Sequence, residues 1–344
     1  MSCSTSSPSV SSLVTVAGLW KRLTEEDPIG DTVHADRDTA VLWTQSKESG
    51  IYVDIRLPKD SPGLNFESAK DIQKRPAALD GTMSHSLVRH LDVMTKHKSF
   101  AGVLDVRAGD TTGGEAMPRD PTLKKLADDP HAIVPLCTCF WRRDIDYQPP
   151  TGGLDIGVCA SAATVIDGHL WLRETGADAS YAEDWSRPLT TSEGPSMALQ
   201  LLDDHRSGFW AVDCFAYAVG RPTNPETCPS ARVCKNVGKS LYDAVQELVS
   251  TDEERLDVLA SYVGVAGRIN DQNEWLIHHS INPELVGCLL VGNKPGVSCS
   301  LLEQQQDDQV VQIIASSSGE QLRRTWKVVE LTSGCKLPLC DALE

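Results

Sequence analysis

Short segments in which apolar and polar residues alternate recur along most of the chain. The clearest example is IYVDIRLP, in which four aliphatic residues alternate with Tyr52, Asp54 and Arg56. A period of two predicts β-strands with one buried face. Asp167-Gly168, between two apolar runs, predicts a hairpin with a type I′ turn, because both central positions of that turn need positive φ.

Helical patterns are fewer than strand patterns. The best candidate is KSLYDAVQELVSTDEE, where Leu241, Val245 and Leu248 recur near helical spacing. Many strands joined by short connections predict an antiparallel β-barrel or sandwich. Roughly fourteen strands exceed the eight of a small barrel, so we expect two β subdomains or one enlarged barrel.

The weakest patterning near the middle of the chain is RPLTTSEGPS, which suggests a boundary there. We therefore divide the chain into a disordered tail (1–13), a first β domain (14–190), and a second β domain or barrel completion (191–344). The tail assignment rests on the small, polar composition of MSCSTSSPSVSS.

Composition narrows the range of partners and compartments. The 344 residues carry a net charge of −16, which argues against nucleic-acid binding, since phosphate contact needs a basic surface. No apolar run is long enough to span a membrane, and the N-terminus lacks the features of a secretory signal. The 11 cysteines form no CxxC pair and favour reduced thiols, so we expect a cytoplasmic protein. A homodimer is left open.

The segment CTCFWRRDIDYQPP holds the main candidate site. Read at period two, Arg142, Asp144, Asp146 and Gln148 share one strand face. If that face points into a barrel together with Asp54 and Arg56, it lines a cavity with Arg and Asp groups, which orient polar atoms of a ligand. A solvent-facing strand laced with surface ion pairs is the alternative. Thr138 and Phe140 lie on the same face as this polar row. The opposite face carries Cys137, Cys139, Trp141, Arg143, Ile145 and Tyr147.

Three further residues support this candidate site. Trp141 and Tyr147 neighbour the polar row and are predicted to contact a ligand. Glu174 shares a strand face with Leu170 and Leu172, which is unusual for a solvated glutamate. Its alternative interpretation is an ordinary glutamate at a strand end. No metal-binding motif, phosphate-binding loop or dinucleotide fingerprint is present, so no cofactor is expected.

The motif Gly18-Leu19-Trp20 is similar to the entry motif of lipocalin-type (calycin) barrels. In those barrels the tryptophan closes one end and packs under a basic side chain from the last strand, a cation over an aromatic face. The resemblance implies that Trp20 is buried at one end of a barrel. Arg323 or Arg324, in the last predicted strand, would supply the cation.

Five blocks together resemble a poorly characterised family of bacterial proteins and their eukaryotic relatives. They are GLW at Gly18, YVDIRLP at Tyr52, FAG at Phe100, WRRDIDYQPP at Trp141 and YAEDW at Tyr181. The resemblance covers Ala17 to Arg187 and implies a calycin-like barrel but no established reaction. Arg142 stands where the family pattern has histidine, so we expect it to anchor a ligand and not to transfer a proton.

Two functions of different class are compatible with such a barrel. The first is the binding of a small, partly hydrophobic molecule, whose polar end is held by the Arg/Asp row. The alternative is a cofactor-independent enzyme, such as an isomerase, cyclase, lyase or dehydratase. Asp144 or Asp146 would then be the acid or base, and Arg142 or Arg56 would hold developing negative charge. A protein-interaction scaffold is a third interpretation.

Overall fold

The protein is described here by a computed structural model. The described residues are 17–31, 36–61, 63–64, 85–108, 136–147, 155–161, 169–188, 197–201, 208–212, 214–220, 245, 249, 251–260, 262–270, 274–292, 300–306, 308–315 and 321–332. The predicted N-terminal tail and the Asp167-Gly168 turn lie outside these residues. The strands that flank the turn do pair with each other as antiparallel neighbours.

The first eight strands form one closed antiparallel barrel in which every strand pairs with its neighbour in sequence and β8 pairs with β1. These strands are β1 (Gly18–Glu26), β2 (Thr39–Gln45), β3 (Ile51–Pro58), β4 (Lys98–Ala108), β5 (Leu136–Asp146), β6 (Asp155–Ser161), β7 (His169–Gly176) and β8 (Ala182–Pro188). This confirms the predicted lipocalin-like antiparallel barrel.

Nine further strands close a second barrel, in which the last strand, β17, pairs with the first, β9. They are β9 (Met197–Leu201), β10 (Gly208–Val212), β11 (Cys214–Gly220), β12 (Tyr262–Ile269), β13 (Trp275–Ser280), β14 (Leu289–Val291), β15 (Ser300–Gln306), β16 (Gln309–Ala315) and β17 (Gln321–Leu331). Among the described strands, only β14 and β15 pair in parallel. β8 ends at Pro188 and β9 begins at Met197, on either side of the predicted boundary at 190/191, and the division into two domains stays a prediction.

Helices are few and short among the described residues. A 3₁₀ turn, His85–His90, runs into α1 (Leu91–Met94), and α2 spans Asp252–Leu259. The Thr251 side chain caps α2 by accepting a hydrogen bond from the Glu254 N–H. A second 3₁₀ turn is Pro283–Leu285. Most of the helix predicted around Val245 lies outside the described residues. None of the described helices is long and apolar enough to cross a membrane.

The aliphatic face of β3 points out of the first barrel, towards the second. Val53, Ile55 and Leu57 belong to a buried cluster that also contains α1, α2 and the outer faces of β11 and β12. Tyr262 is a member from the second barrel, and its ring meets that of Tyr147 at 5.8 Å. The two barrels therefore share one apolar core, and the polar face of β3 is left to the interior of its own barrel.

Polar contacts also join the barrels. The buried carboxylate of Glu330, in β17, accepts hydrogen bonds from the backbone N–H groups of Lys47, Glu48 and Ser49, in the β2–β3 turn, at 2.8–3.1 Å. Three N–H donors in succession form a cradle that suits an anion. Elsewhere the fully buried His97 lies between Ser61 Oγ, at 2.9 Å from Nε2, and Ile281 O, at 3.0 Å from Nδ1.

A β-bulge sets the orientation of the candidate strand β5. Gly102 of β4 pairs with Arg143, whereas Ala101 pairs with Ile145, so that Asp144 is an extra residue without a direct partner. A Cβ atom at residue 102 would lie 1.9 Å from Arg142 O, so only glycine permits this approach. The bulge reverses the alternation of the faces of β5 from this point on.

Candidate functional site

One end of the first barrel is closed by Trp20. Its side chain is fully buried, and the Arg187 guanidinium carbon lies 4.7 Å from the centre of its ring. Burial lowers the pKa of Arg187 to about 10. The predicted arrangement is thus present, but Arg187 of β8 supplies the cation. Arg323 and Arg324 belong to the second barrel, where Arg324 donates to the Tyr217 hydroxyl and Arg323 pairs with Glu303.

Aromatic rings fill the middle of the first barrel. Trp43 lies at the centre of a cluster of four tryptophans, with ring centroids 6.2 Å from Trp20, 6.1 Å from Trp141 and 5.6 Å from Trp185. Stacked and edge-to-face contacts of this kind stabilise a core beyond their buried area. Within this cluster, the Nε1–H groups of Trp43 and Trp185 are buried and find no hydrogen-bond acceptor among the described residues.

The opposite end of the barrel interior carries ionisable groups. The Arg56 guanidinium donates to both oxygens of Asp54, from Nε at 2.9 Å and from Nη2 at 3.2 Å. Glu183 accepts a hydrogen bond from Arg22 at 2.7 Å and lies 3.8 Å from Arg56. Burial raises the pKa of Asp54, although Arg56 opposes the shift. The name charged end is used below for Asp54, Arg56, Glu183 and Arg22, together with Glu174 and Tyr181.

Glu174 is the most perturbed carboxyl group of the charged end. Burial raises its pKa well above the ordinary range, and the nearby negative charges of Glu183 and Asp155 add to the shift. The Tyr181 hydroxyl donates to Glu174 Oε1 at 3.1 Å. A carboxyl group with a raised pKa keeps its proton to higher pH than usual, and in the protonated form it is able to donate a hydrogen bond or a proton.

A small cavity lies between the tryptophan cluster and the charged end. Its volume is about 20 Å³, room for a single water molecule. Its lining combines aromatic rings with carboxyl, phenol and guanidinium groups: Trp43, Tyr52, Asp54, Arg56, Phe100, Trp141, Asp155, Glu174, Tyr181 and Trp185. Any larger ligand must displace side chains at this end, where Arg56, Asp155 and Tyr181 are half-buried.

The structure brings four of the predicted site residues together. Asp54, Arg56, Trp141 and Glu174 all line the cavity. Trp141 was predicted on the face opposite to the polar row, yet it is this face of β5 that points inward before the bulge. Gly157 on β6 permits the position of Trp141, since a Cβ there would lie 2.9 Å from the indole ring.

The polar row itself does not line the cavity as a unit. Arg142 is exposed on the outer face of the barrel, and Asp144 is half-buried at the bulge. Asp146, beyond the bulge, pairs with Phe100 and so returns to the inner face, where its carboxylate binds Arg143 at 3.2 Å. The shared face predicted for these residues is therefore wrong, because the bulge at Asp144 changes the alternation.

The last two predicted residues lie away from the cavity or outside the described residues. Tyr147 is buried in the core between the barrels, and its hydroxyl donates to Met94 O at 3.1 Å. Gln148 is not among the described residues. Neither contributes to the cavity lining described above.

Sequence reasoning missed several side chains at the charged end. Arg143 lies over the Phe100 ring, with its guanidinium carbon 4.0 Å from the ring centre, and it also binds Asp155 at 2.7 Å. Tyr181 and Glu183 belong to the YAEDW block, which was noticed without being assigned a role. Their period-two spacing with Trp185 was the available signal, since it places Glu183 and Trp185 on one face.

Three buried cysteines lie deeper in the same barrel, and they do not form a metal site. Cys137, Cys139 and Cys159 are free thiols within the aromatic core, and the Cys137 and Cys139 sulfurs are 3.9 Å apart. No group of three or more His, Cys, Asp or Glu side chains within the described part of the chain is arranged to hold a metal ion. The contacts observed for the ionisable groups at the charged end are with each other and with aromatic rings, as in the Arg56–Asp54 pair and the approach of Arg56 to the Phe100 ring.

Comparison with known proteins gives no match at a significant level to a protein-family model, a curated protein or a solved structure. The family resemblance of the five sequence blocks therefore stays a prediction. What the site does must be argued from the geometry of the first barrel.

Proposed function

We propose that the first barrel binds a small, partly hydrophobic molecule at its charged end. The observation that carries this proposal is a cavity walled by indole rings whose two buried N–H groups, on Trp43 and Trp185, lack an acceptor among the described residues. An unsatisfied buried donor costs about 1–3 kcal/mol, so a ligand oxygen placed against these groups would gain affinity. Membership of the lipocalin-like family described above is part of the same proposal.

The groups around the cavity suggest the ligand's chemistry. Its apolar part would contact the indole rings, and a carbonyl, ether or hydroxyl oxygen would accept from Trp43 and Trp185. A second polar group would meet Glu174 and the Asp54–Arg56 pair, which offer both donors and acceptors. Because the cavity now has room for one water, the ligand enters by moving the half-buried side chains Arg56 and Tyr181.

The first experiment is a thermal-shift screen of small aromatic alcohols and carbonyl compounds, followed by titration of every hit. Trp43→Phe removes one indole N–H and keeps an aromatic ring. We expect this variant to bind hits about tenfold more weakly, the equivalent of one net hydrogen bond. Asp54→Asn should weaken the binding of the same compounds, since it removes the ion pair that holds Arg56 in place.

Two matched controls lie outside the cavity. Trp275→Phe makes the same change to a fully buried tryptophan of the second barrel. Asp105→Asn alters a half-buried carboxylate that pairs with the exposed Arg107 on the outside of the first. Both should bind hits like the parent protein. Hits that bind all four variants equally well, or a screen without hits, would contradict the proposal.

A cofactor-independent acid–base reaction is the second candidate function. It is favoured by Glu174, whose pKa is raised by burial and by neighbouring carboxylates, as suits a general acid. The hydrogen bond from Tyr181 and the positive charge of Arg56 oppose part of that shift, and both would stabilise the carboxylate left after proton transfer. Asp144 and Asp146 are weaker candidates than the sequence suggested, because Asp146 is paired with Arg143 and Asp144 lies at the bulge. Turnover of a bound hit that is abolished in Glu174→Gln, with binding retained, would favour the enzyme over the binder.

A further inference from the structure

A second and larger cleft lies between the two barrels, outside both interiors. Its volume is about 280 Å³, close to the lower limit for small-molecule sites. One wall is the outer face of β1, β2, β7 and β8, and the other is formed mainly by β12 and β13. Its described lining includes no carboxylate. Five basic side chains line it, namely Lys21, His169, Arg268, His278 and His279.

This concentration of positive charge contrasts with the chain's net charge of −16. Lys21 and Arg268 have no ion-pair partner in the part of the chain that the structure describes, whereas the other arginines discussed above are mostly paired. Lys21 comes from the first barrel and Arg268 from the second. Like charges that face each other without a counter-ion raise the energy of the cleft, and a bound anion would relieve that cost.

The pKa values of His278 and His279 respond to the positive charge of the cleft. Burial lowers the pKa of His278, and Arg268 lowers it further. Burial likewise lowers the pKa of His279, and the positive charges of Lys21 and Arg268 lower it further. His279 Nδ1 donates to Leu64 O at 2.6 Å, so Nε2 is the atom that would take up a second proton.

We propose that this cleft binds a small organic phosphate monoester. Lys21, Arg268 and the imidazoles of His278 and His279 would hold the phosphate dianion, since Lys and Arg are the usual protein ligands of phosphate oxygens. The cleft also has an apolar wall, which includes the half-buried side chains of Leu19 and Leu42. An inorganic phosphate would leave that wall uncovered, so an ester with an apolar group fits the lining better. Such a ligand would contact both barrels at once.

Calorimetric titration of the full chain at low ionic strength tests this site with three probes. We expect phenyl phosphate to bind about tenfold more tightly than inorganic phosphate, because the ring adds apolar contact worth on the order of 1.4 kcal/mol. Phenol, which carries the ring without the charge, should not bind measurably. Equal affinity for the two phosphates would assign the cleft to the free ion and overturn the organic ligand.

Matched charge-removal variants locate the binding. Arg268→Gln and Lys21→Gln each remove an exposed cation from the cleft, and each should weaken phenyl phosphate about tenfold. Arg323→Gln removes an exposed arginine of the same barrel outside the cleft and should leave the affinity within about twofold. Absence of binding, or equal weakening by Arg323→Gln, would overturn the proposal.

Proton NMR of the histidine C2–H signals gives an independent readout. A bound dianion raises the pKa of a neighbouring imidazole, because it stabilises the protonated form. We expect phenyl phosphate to shift the titrations of His278 and His279 to higher pH, while His90, near α1, titrates as in the free protein. Unchanged titration of His278 and His279 at saturating ligand would show that the anion binds elsewhere.

Discussion

The two barrels resemble each other in antiparallel pairing and closure, but their interiors differ. Inside the first, Asp54, Arg56, Glu174 and Glu183 occupy one end beside a cluster of tryptophans. Inside the second, the core is largely aliphatic, and its central buried polar group is the uncharged amide of Gln312, which accepts from Tyr217 and Trp326 at 3.3 Å each. Arg324 reaches Tyr217 with a side chain that is only half-buried.

This difference separates what the fold needs from what it carries in addition. Buried charge is expensive, and replacing a buried ion pair by apolar side chains is often neutral or stabilising. Among its described residues the second barrel closes without a cluster of ionisable groups like the charged end, although the Arg324 guanidinium donates to the Tyr217 hydroxyl. Closure of such a barrel therefore does not require the charged groups of the first. Ionisable groups that face a cavity and have shifted pKa values are typical of functional sites. The comparison thus favours the first barrel as the one that binds a ligand.

Removal of Trp20 should have the largest effect on stability. The ring is fully buried, stacks on Trp43 and lies under Arg187, so Trp20→Ala leaves a cavity at the closed end. We expect the free energy of unfolding to fall by about 3–5 kcal/mol, measured by urea denaturation. A loss below about 1 kcal/mol would show that the closed end is not needed for stability.

The equivalent change in the second barrel is Trp326→Ala, which also removes a fully buried indole. Because Ile55 and Tyr147 of one barrel share a core with Ala216 and Tyr262 of the other, we expect a single unfolding transition that both variants lower. Two transitions, each shifted by one variant only, would instead show that the barrels unfold independently.

The junction between the barrels should be sensitive to acid through His97. Burial lowers its pKa to about 4, against 6.5 for the unfolded chain, so the unfolded state binds more protons between these values. Stability should therefore fall as the pH is lowered from 6.5 towards 4, by about 3 kcal/mol at 1.36 kcal/mol per pKa unit. The hydrogen bond to Ile281 O and the nearby carboxylate of Asp60 each oppose part of this lowering of the His97 pKa.

The measurement compares the pH dependence of urea unfolding in the parent protein and in His97→Gln. The amide keeps a donor for Ile281 O and an acceptor for Ser61, but it does not titrate. The variant should lose the His97 share of the slope between pH 4 and 6.5. His90→Gln, at a less buried histidine beside α1, is the control, and an unchanged slope in His97→Gln would contradict the assignment.

The alternation in β3 was sufficient to predict its two faces, because the strand is regular from Ile51 to Pro58. The same reasoning failed in β5, because a single extra residue at Asp144 changes the face of every residue that follows. A signal was present in the partner strand. Gly102 interrupts an apolar strand, which is typical of a bulge, but the pattern of β5 alone does not show where two strands will pair.

The closing cation illustrates a different limit. The residues Gly18 to Trp20 predicted both the burial of Trp20 and a basic partner from the last strand of its barrel. Choosing Arg187 over Arg323 or Arg324 required knowing that the first barrel closes at β8, and closure depends on long-range pairing that alternation does not encode. The charged end could not be assembled from the sequence for the same reason. Asp54, Glu174 and Glu183 come from three different strands, which are brought together by long-range pairing.

The smallest predicted effect is also the most direct test of the comparison between the barrels. Burial and neighbouring carboxylates raise the folded-state pKa of Glu174, so the folded chain holds its proton more tightly than the unfolded chain does. As the pH rises above about 4.5, that difference should lower stability, a slope opposite in sign to that of His97. Glu174→Gln removes this slope and should be neutral or stabilising by about 1 kcal/mol at pH 8, since it replaces a buried ionisable group by a neutral one of similar shape.

Gln312→Glu makes the reverse change in the second barrel and should destabilise the protein as the pH rises. If Glu174→Gln instead destabilises the protein at pH 8, the charged end supports the fold, and the contrast with the second barrel no longer argues for a ligand site.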